Sequence, residues 1–401
     1  MNSAYIVDAV RTPRSKGKSG GRLSQVKPVT LGASVLNALK NRNQLNTKSV
    51  DDVIFGCATP VNEQGGNIAK NSVQAAGWDI GVPGFQLDRA CGSGLEAVTL
   101  AAQKVISGWQ DVVVAGGVES LSRVKMGSMG SPALSDPEFI LSQKPISQGV
   151  AADLLAALDG FTREDVDKFA LESQKRAAAA QKSGHFDRSV IEIKDRNGLL
   201  LVDRDDFIKP DTTLESLGQL KPSFSLMGEM GMDDVALSQY NTLSHIPHIH
   251  TAGNSSGIVD GASALLIAGE SALKEFSLTP RCRIVASATV STDPQLMLAG
   301  PGPAAQKCLK KAGLKACEID VWEINEAFAS VVLRFIKEME IDPEIVNVNG
   351  GAIALGHPLG ATGGMLVGTV VDELERAGAN RGLITLCTAG GMGVAMIIER
   401  V

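Results

Sequence analysis

Phe85-Gln86-Leu87-Asp88-Arg89-Ala90-Cys91-Gly92-Ser93-Gly94-Leu95-Glu96-Ala97-Val98 is the stretch on which the fold turns. Phe85, Leu87 and Arg89 alternate with Gln86 and Asp88, the pattern of a strand entering a core. Beyond Cys91 the period changes. Leu95, Val98, Ala102, Val105 and Ile106 share one helical face, and Gly108 ends the run. A cysteine at such a junction lies beside unpaired backbone N–H groups and the positive end of a helix dipole, which favour thiolate over thiol. Gly92 and Gly94 leave the backbone open to a close approach. Cys91 is therefore a candidate nucleophile, set against the alternative of an inert buried thiol.

Working outward, strand–helix–strand units recur. One runs from Phe85 through the Cys91 helix to Asp111-Val112-Val113-Val114-Ala115-Gly116-Gly117. Another runs from Gly360-Ala361-Thr362-Gly363 through Leu366, Val370 and Leu374 to Leu383-Ile384-Thr385-Leu386-Cys387 and Ala389-Gly390-Gly391. Matching the two Ala-Gly-Gly segments as turns pairs the helices as well, the mark of duplicated α/β halves. Between them, Leu121 to Asn254 holds scattered methionines, many Ser, Gly and Pro breaks and one strong helix opening at Thr162-Arg163-Glu164-Asp165, a capping-box pattern. That region reads as an inserted domain covering a site built by the halves. Its methionines suit either a ligand wall or core filling.

The 401 residues exceed one compact core. A net charge of −6 and an aromatic content of 4% argue against general nucleic-acid binding, since neither a basic face nor stacking platforms are present. No apolar run reaches bilayer length and the N-terminus lacks a signal-peptide core, so a cytoplasmic protein with no membrane span is expected. Cys57, Cys91, Cys282, Cys308, Cys317 and Cys387 contain no CxxC pair, pointing to free thiols with neither disulfides nor zinc.

Three further segments carry chemistry. Ile345-Val346-Asn347-Val348-Asn349-Gly350-Gly351-Ala352-Ile353-Ala354-Leu355-Gly356-His357-Pro358-Leu359-Gly360 reads as a strand leading into a glycine-dense loop that aims a lone histidine. Leu386-Cys387-Thr388-Ala389-Gly390-Gly391 puts a second thiol at a strand end, before a turn whose N–H groups suit an oxyanion. Glu323-Ile324-Asn325-Glu326-Ala327-Phe328 reads as a strand-to-helix junction with Asn325 in the helix's first turn, where a plain N-cap competes with a functional role. In doubly wound sheets the site lies at the carboxyl ends of strands, which would gather all of these.

Together these segments resemble the thiolase family. Val10-Arg11-Thr12-Pro13, Gly116-Gly117-Val118-Glu119-Ser120 and Thr251-Ala252-Gly253-Asn254-Ser255-Ser256-Gly257 extend the likeness over nearly the whole chain, in family order. The resemblance implies a five-layered α/β/α/β/α fold: an N-terminal half of residues 1–120 and 258–279, an inserted loop domain of 121–257 covering coenzyme A, and a C-terminal half of 280–401. It implies a homodimer or homotetramer acting on acyl-CoA and CoA, with no tightly bound cofactor. By matching position Cys91 takes the acyl group and His357 activates it. Cys387 moves the α-proton, Asn325 with His357 binds the thioester oxygen, and the N–H groups of Cys91 and Ala389 form a second oxyanion hole. Ser256, Ser216 and Lys209 match coenzyme A contacts.

The chain departs from the family in three places. Ala389 stands where a glycine is usual, and Ser147-Gln148-Gly149 replaces the His-Met pair of short-chain biosynthetic members. Met227 to His248 reads as an insertion whose His245, His248 and neighbouring His250 suit a solvated loop better than a metal site. Competing readings are a decarboxylating ketoacyl-synthase-type enzyme, a non-catalytic acyl-CoA or lipid binder, and, last, a nucleotide-dependent dehydrogenase. The second thiol, the intact Cys-His-Cys set and the missing GxGxxG disfavour them in turn.

Overall fold

The computed structural model describes residues 2–401. Its main strands are β1 (Ala4–Arg11), β2 (Asp52–Gly56), β3 (Phe85–Leu87), β4 (Val112–Ser120), β5 (Val259–Gly269), β6 (Cys282–Ser291), β7 (Val321–Ile324), β8 (Arg381–Thr388) and β9 (Met392–Arg400). The main helices are α1 (Pro28–Arg42), α2 (Ser93–Ile106), α3 (Gln148–Asp159), α4 (Arg163–Lys182), α5 (Pro301–Ala312), α6 (Ala329–Met339) and α7 (Leu359–Ala377).

The strands lie in the order β7-β8-β9-β6-β1-β5-β4-β2-β3. Each half has the same pattern. In the first, β2 is parallel to β4, and β4, β5 and β1 follow antiparallel. In the second, β7 is parallel to β8, and β8, β9 and β6 follow antiparallel. Among the described residues the two halves of the sheet pair edge to edge at Tyr5–Arg283 and Ile6–Cys282.

Successive side chains of a strand face opposite ways, and here both ways are core. Val112 and Val114 of β4 pack outward with Leu31 and Leu36 of α1, whereas Val113 and Ala115 pack inward with Leu95 and Val98 of α2 and Val367 and Val370 of α7. The second half repeats this, with Ile397 of β9 facing Leu309 of α5 and Met396 and Ile398 joining the central cluster. Helices α2 and α7 lie against each other and against strands of both halves, giving the five layers α1, sheet, α2 with α7, sheet, α5. Each Leu or Val so buried contributes about 1.5–3 kcal/mol.

Three readings change. Gly116 and Gly117 lie inside β4 and form no turn; a Cβ on them would sit 2.0 Å from the carbonyl oxygens of Ser263 and Gly360, so close approach is what excludes a side chain. Segment 85–87 is an edge strand, and Phe85 is exposed. Val346 makes one bridge to Trp322 where a full strand was expected. The chain leaves the sheet at Ser120 and rejoins it at Val259. Between them α4 begins with the expected capping box, Thr162 and Asp165 each satisfying the other's backbone N–H.

Candidate active site

Cys91 occupies a turn locked by its neighbours. The Ser93 hydroxyl accepts the Arg89 N–H at 2.8 Å and donates to the Ala90 carbonyl at 2.7 Å, while Asp88 accepts the Ala90 N–H at 2.7 Å. Ala90 is held at φ +48°, a left-handed conformation that a non-glycine residue adopts at a cost. The result is a sharp corner that sets the thiol just ahead of α2. A Cβ on Gly92 would lie 2.7 Å from the Thr388 methyl, and one on Gly94 would lie 2.7 Å from the Gly360 carbonyl oxygen. These two glycines let the ends of β8 and α7 close on Cys91.

The thiol is buried, and its own N–H, the N–H of Ala389 and the Gln148 side chain lie near enough to its sulfur to favour the anion. Burial nevertheless pushes Cys91 up to about 11, with the Glu119 charge adding to the rise. The expectation of a resting thiolate is therefore corrected. Desolvation of a fully enclosed sulfur outweighs what a helix N-terminus supplies. Cys387, at the end of β8, is buried completely and pushed up by burial and by the nearby Cys91 sulfur.

The substitution at Ala389 does not disturb its turn. The left-handed positions fall on Gly390 (φ +81°) and Gly391 (φ +76°), so residue 389 can carry a Cβ while its N–H still reaches Cys91.

His357 is buried and held neutral, brought down to about 3 by burial and then by the Arg14 charge. Its Nδ1 meets the Thr362 hydroxyl at 2.6 Å, and its Nε2 lies 3.5 Å from Asn325 Nδ2. Gly356, at φ +95°, makes the preceding turn, and a Cβ there would meet Val259 at 2.3 Å. With Nδ1–H donated to Thr362, Nε2 is left as a proton acceptor facing Asn325.

Asn325 is not in a helix. Its N–H bonds the Thr385 carbonyl at 3.0 Å, and α6 begins only at Ala329, whose N–H bonds Asn254. Its Oδ1 is buried without a hydrogen-bond partner. An orphaned buried acceptor is costly and marks a place where a ligand or water completes the set.

Sequence reasoning gave Glu119, Thr362 and Gln148 no chemical role. Glu119 accepts the N–H groups of Ala58 (2.8 Å) and Gly360 (3.0 Å) and the Gln64 amide (2.8 Å), tying α7 to the first half. Its place in Gly117-Val118-Glu119-Ser120 was the available signal. Of the coenzyme A candidates, Ser256 lies next to the catalytic loop, its N–H on the Ala327 carbonyl at 2.9 Å and the Gly257 carbonyl accepting from His357 at 2.8 Å. Lys209 is exposed, its Nζ 5.3 Å from the Phe207 ring that covers Gly257. Ser216 is exposed, and its hydroxyl donates to the Thr213 carbonyl at 2.8 Å.

The histidines in and beside the insertion correct another expectation. His245 is exposed, but His248 and His250 are not loop solvators: both bond the buried carboxylate of Asp153, each at 2.7 Å. Among the described residues no group of three or more His, Cys, Asp or Glu side chains is arranged for a metal ion, and no helix is long and apolar enough to cross a membrane.

Cys91 and Cys387, from different halves, lie close to each other with the Ala389 N–H beside the first, and the His357 imidazole faces the Asn325 amide, a set of groups suited to acyl transfer. The thiolase N-terminal domain matches residues 4–271 and the thiolase C-terminal domain residues 278–400. The chain belongs to the thiolase family and is an acyltransferase. It is 40% identical to a steroid 3-ketoacyl-CoA thiolase of Mycobacterium tuberculosis, covering all of this chain and 95% of that one. It is also 40% identical to a 3-ketoacyl-CoA thiolase of Cronobacter sakazakii, over the full length of both. The acetyl-CoA acetyltransferase of Bacillus anthracis superposes with a TM-score of 0.87 at 34% identity, covering 100% of this chain and 99% of that one. The decarboxylating and non-catalytic alternatives are not favoured.

Proposed function

We propose that the enzyme cleaves 3-ketoacyl-CoA with coenzyme A to acetyl-CoA and a shortened acyl-CoA, and runs the reverse Claisen condensation, through an acyl-Cys91 intermediate. The carrying observation is the meeting of Cys91, the Ala389 N–H and Cys387 at one point. Neutral His357 takes the Cys91 proton at Nε2 as the sulfur attacks the 3-keto carbon. The N–H groups of Cys91 and Ala389 hold the oxyanion; each such donor is worth about 3–4 kcal/mol in the barrier. The carbon–carbon bond then breaks, its electron pair passing to the acetyl-CoA enolate. The oxygen of that enolate is held by Asn325 with His357, and its α-carbon receives the proton of Cys387. The thiol of incoming coenzyme A gives its proton to the Cys387 thiolate and displaces Cys91 from the acyl group, and the leaving Cys91 sulfur takes back the proton held by His357, restoring the free enzyme.

Coenzyme A enters as substrate, with Ser256 beside the reacting thioester and Lys209 and Ser216 farther along the inserted domain. The edge strand β3, with Phe85 exposed, supports assembly into a dimer or a tetramer. Six cysteines without a disulfide support a cytoplasmic location.

Thiolysis across 3-ketoacyl-CoA chain lengths, followed by loss of enolate absorbance, tests the reading with Cys91→Ser alongside. Wild type turns over and the variant is nearly silent. A variant that keeps most of the rate removes Cys91 as nucleophile.

A further inference from the structure

The insertion carries a charge arrangement that the reaction does not use. His248 stands between two carboxylates on separate elements: Nδ1 is 2.7 Å from Asp153 in α3, and Nε2 is 3.0 Å from Asp233 in the short helix Asp233–Gln239. Asp153 also accepts the N–H groups of Ile249 and His250, both at 3.0 Å, and the His250 ring at 2.7 Å. A Cβ on Gly228 would lie 2.5 Å from His248 Nε2, so the chain can pass this point only as glycine. The far end of the segment is tied separately, by the Tyr240 hydroxyl to Asp293 at 2.8 Å. Asp293 adjoins Thr292, whose hydroxyl bonds the Gly391 carbonyl in the turn after Cys387.

What this segment presses on is the start of α3. The Ser147 N–H donates to the Met232 sulfur at 3.3 Å, and the Phe224 ring lies where a Cβ of Gly149 would be, 2.1 Å away. The residue between Ser147 and Gly149 is Gln148, whose side chain lies near the Cys91 sulfur. Phe224, Met232, Val235 and Leu237 pack with Val150, Leu154, Phe328 and Cys387 in one apolar cluster. An apolar surface bracketing the residue that touches the nucleophile lies where the tail of an acyl-thioester must run.

We infer that residues 224–237 form the wall against which the acyl tail lies, and that the Asp153–His248–Asp233 clasp fixes this wall, making His248 and Asp233 positioning residues for tail selectivity. The inference rests on the thiolysis reading. Loosening the clasp lets Met232 and Phe224 move while the turn around Cys91 and the His357–Thr362 bond keep their own partners, so it weakens binding of the tail more than it alters the chemistry.

Full-length His248→Gln and Asp233→Asn are assayed for kcat and KM with acetoacetyl-CoA and with a long-chain 3-ketoacyl-CoA. Asp233 is partly exposed, which keeps the second variant usable if the first fails to fold. With the long substrate KM rises about tenfold. With acetoacetyl-CoA both constants stay within about twofold, because no tail reaches the wall. An equal loss with both substrates, or no change with either, overturns the inference. Wild-type protein inert toward every 3-ketoacyl-CoA would instead refute the thiolysis reading beneath it.

Discussion

Raising the pH through the neutral and alkaline range perturbs Cys91 above all. Its thiol is pushed up to about 11, four units above neutrality, so about one molecule in ten thousand carries a resting thiolate at pH 7. Forming that anion without substrate costs about 5 kcal/mol. The His357 imidazole, brought down to about 3 by burial, does not accept the proton before substrate arrives. A small uncharged alkylating agent such as iodoacetamide reacts with thiolate only. Its rate at Cys91, read by mass spectrometry with Cys91→Ser as the blank, should climb about tenfold per pH unit from pH 6.5 to 9.5 with no plateau. A pH-independent rate across pH 6–8 would reveal a standing thiolate–imidazolium pair and refute the argument that burial outweighs the helix terminus. The same reasoning holds the free enzyme's sulfur protonated until a thioester displaces water and the backbone N–H groups gain an oxyanion to hold.

Cys387→Ser should keep acylation of Cys91 by acetyl-CoA, measured by radiolabel retention, and lose condensation by about 10²–10⁴-fold, the usual worth of a positioned proton donor; equal loss of both steps removes the α-proton role. Gly92→Ala forces a Cβ to within 2.7 Å of Thr388 and 3.0 Å of Val394. It should cost about 1–3 kcal/mol in urea unfolding together with a fall in kcat, and an unaltered midpoint would show that the two halves do not close there. His248 is raised to about 8 by its bonds to Asp153 and Asp233, with His250 the remaining titratable neighbour. Because the folded value exceeds the ordinary 6.5, its stabilisation is complete below about pH 6.5 and is lost as pH rises through about 8. It amounts to about 1 kcal/mol after solvent screening. Wild-type Tm should fall between pH 6.5 and 9 by more than that of His248→Gln; parallel curves would deny the bridge its charge.

The candidate site residues stand out in the sequence where the signal depends on local order. Cys91 ahead of an amphipathic helix, His357 in a glycine loop and Cys387 at a strand end are each visible within ten residues of sequence. What was missed depends on partners far away in the chain. Asn325 reads as a helix N-cap until the Thr385 carbonyl and the Asn254 carbonyl, which bonds Ala329, hold the intervening residues extended. The ionisation of Cys91 reads as favourable until two halves and an inserted domain enclose it. His248 and His250 read as solvated because Asp153 lies 95 and 97 residues earlier. Even Gly116 and Gly117 pass for a turn until Ser263 and Gly360 are seen pressing on them.

The central layer settles how this molecule can be divided. Helices α2 and α7 each lean on strands of both repeats, and the groups they introduce, Cys91 and His357, sit on opposite sides of the join. Cutting the polypeptide between residues 271 and 278, where the two family domains meet, would leave two fragments with exposed apolar helices and half a reaction centre each. Any ancestor built from a single repeat had to associate with its own copy before it had an enclosed interior in which to hold a sulfur.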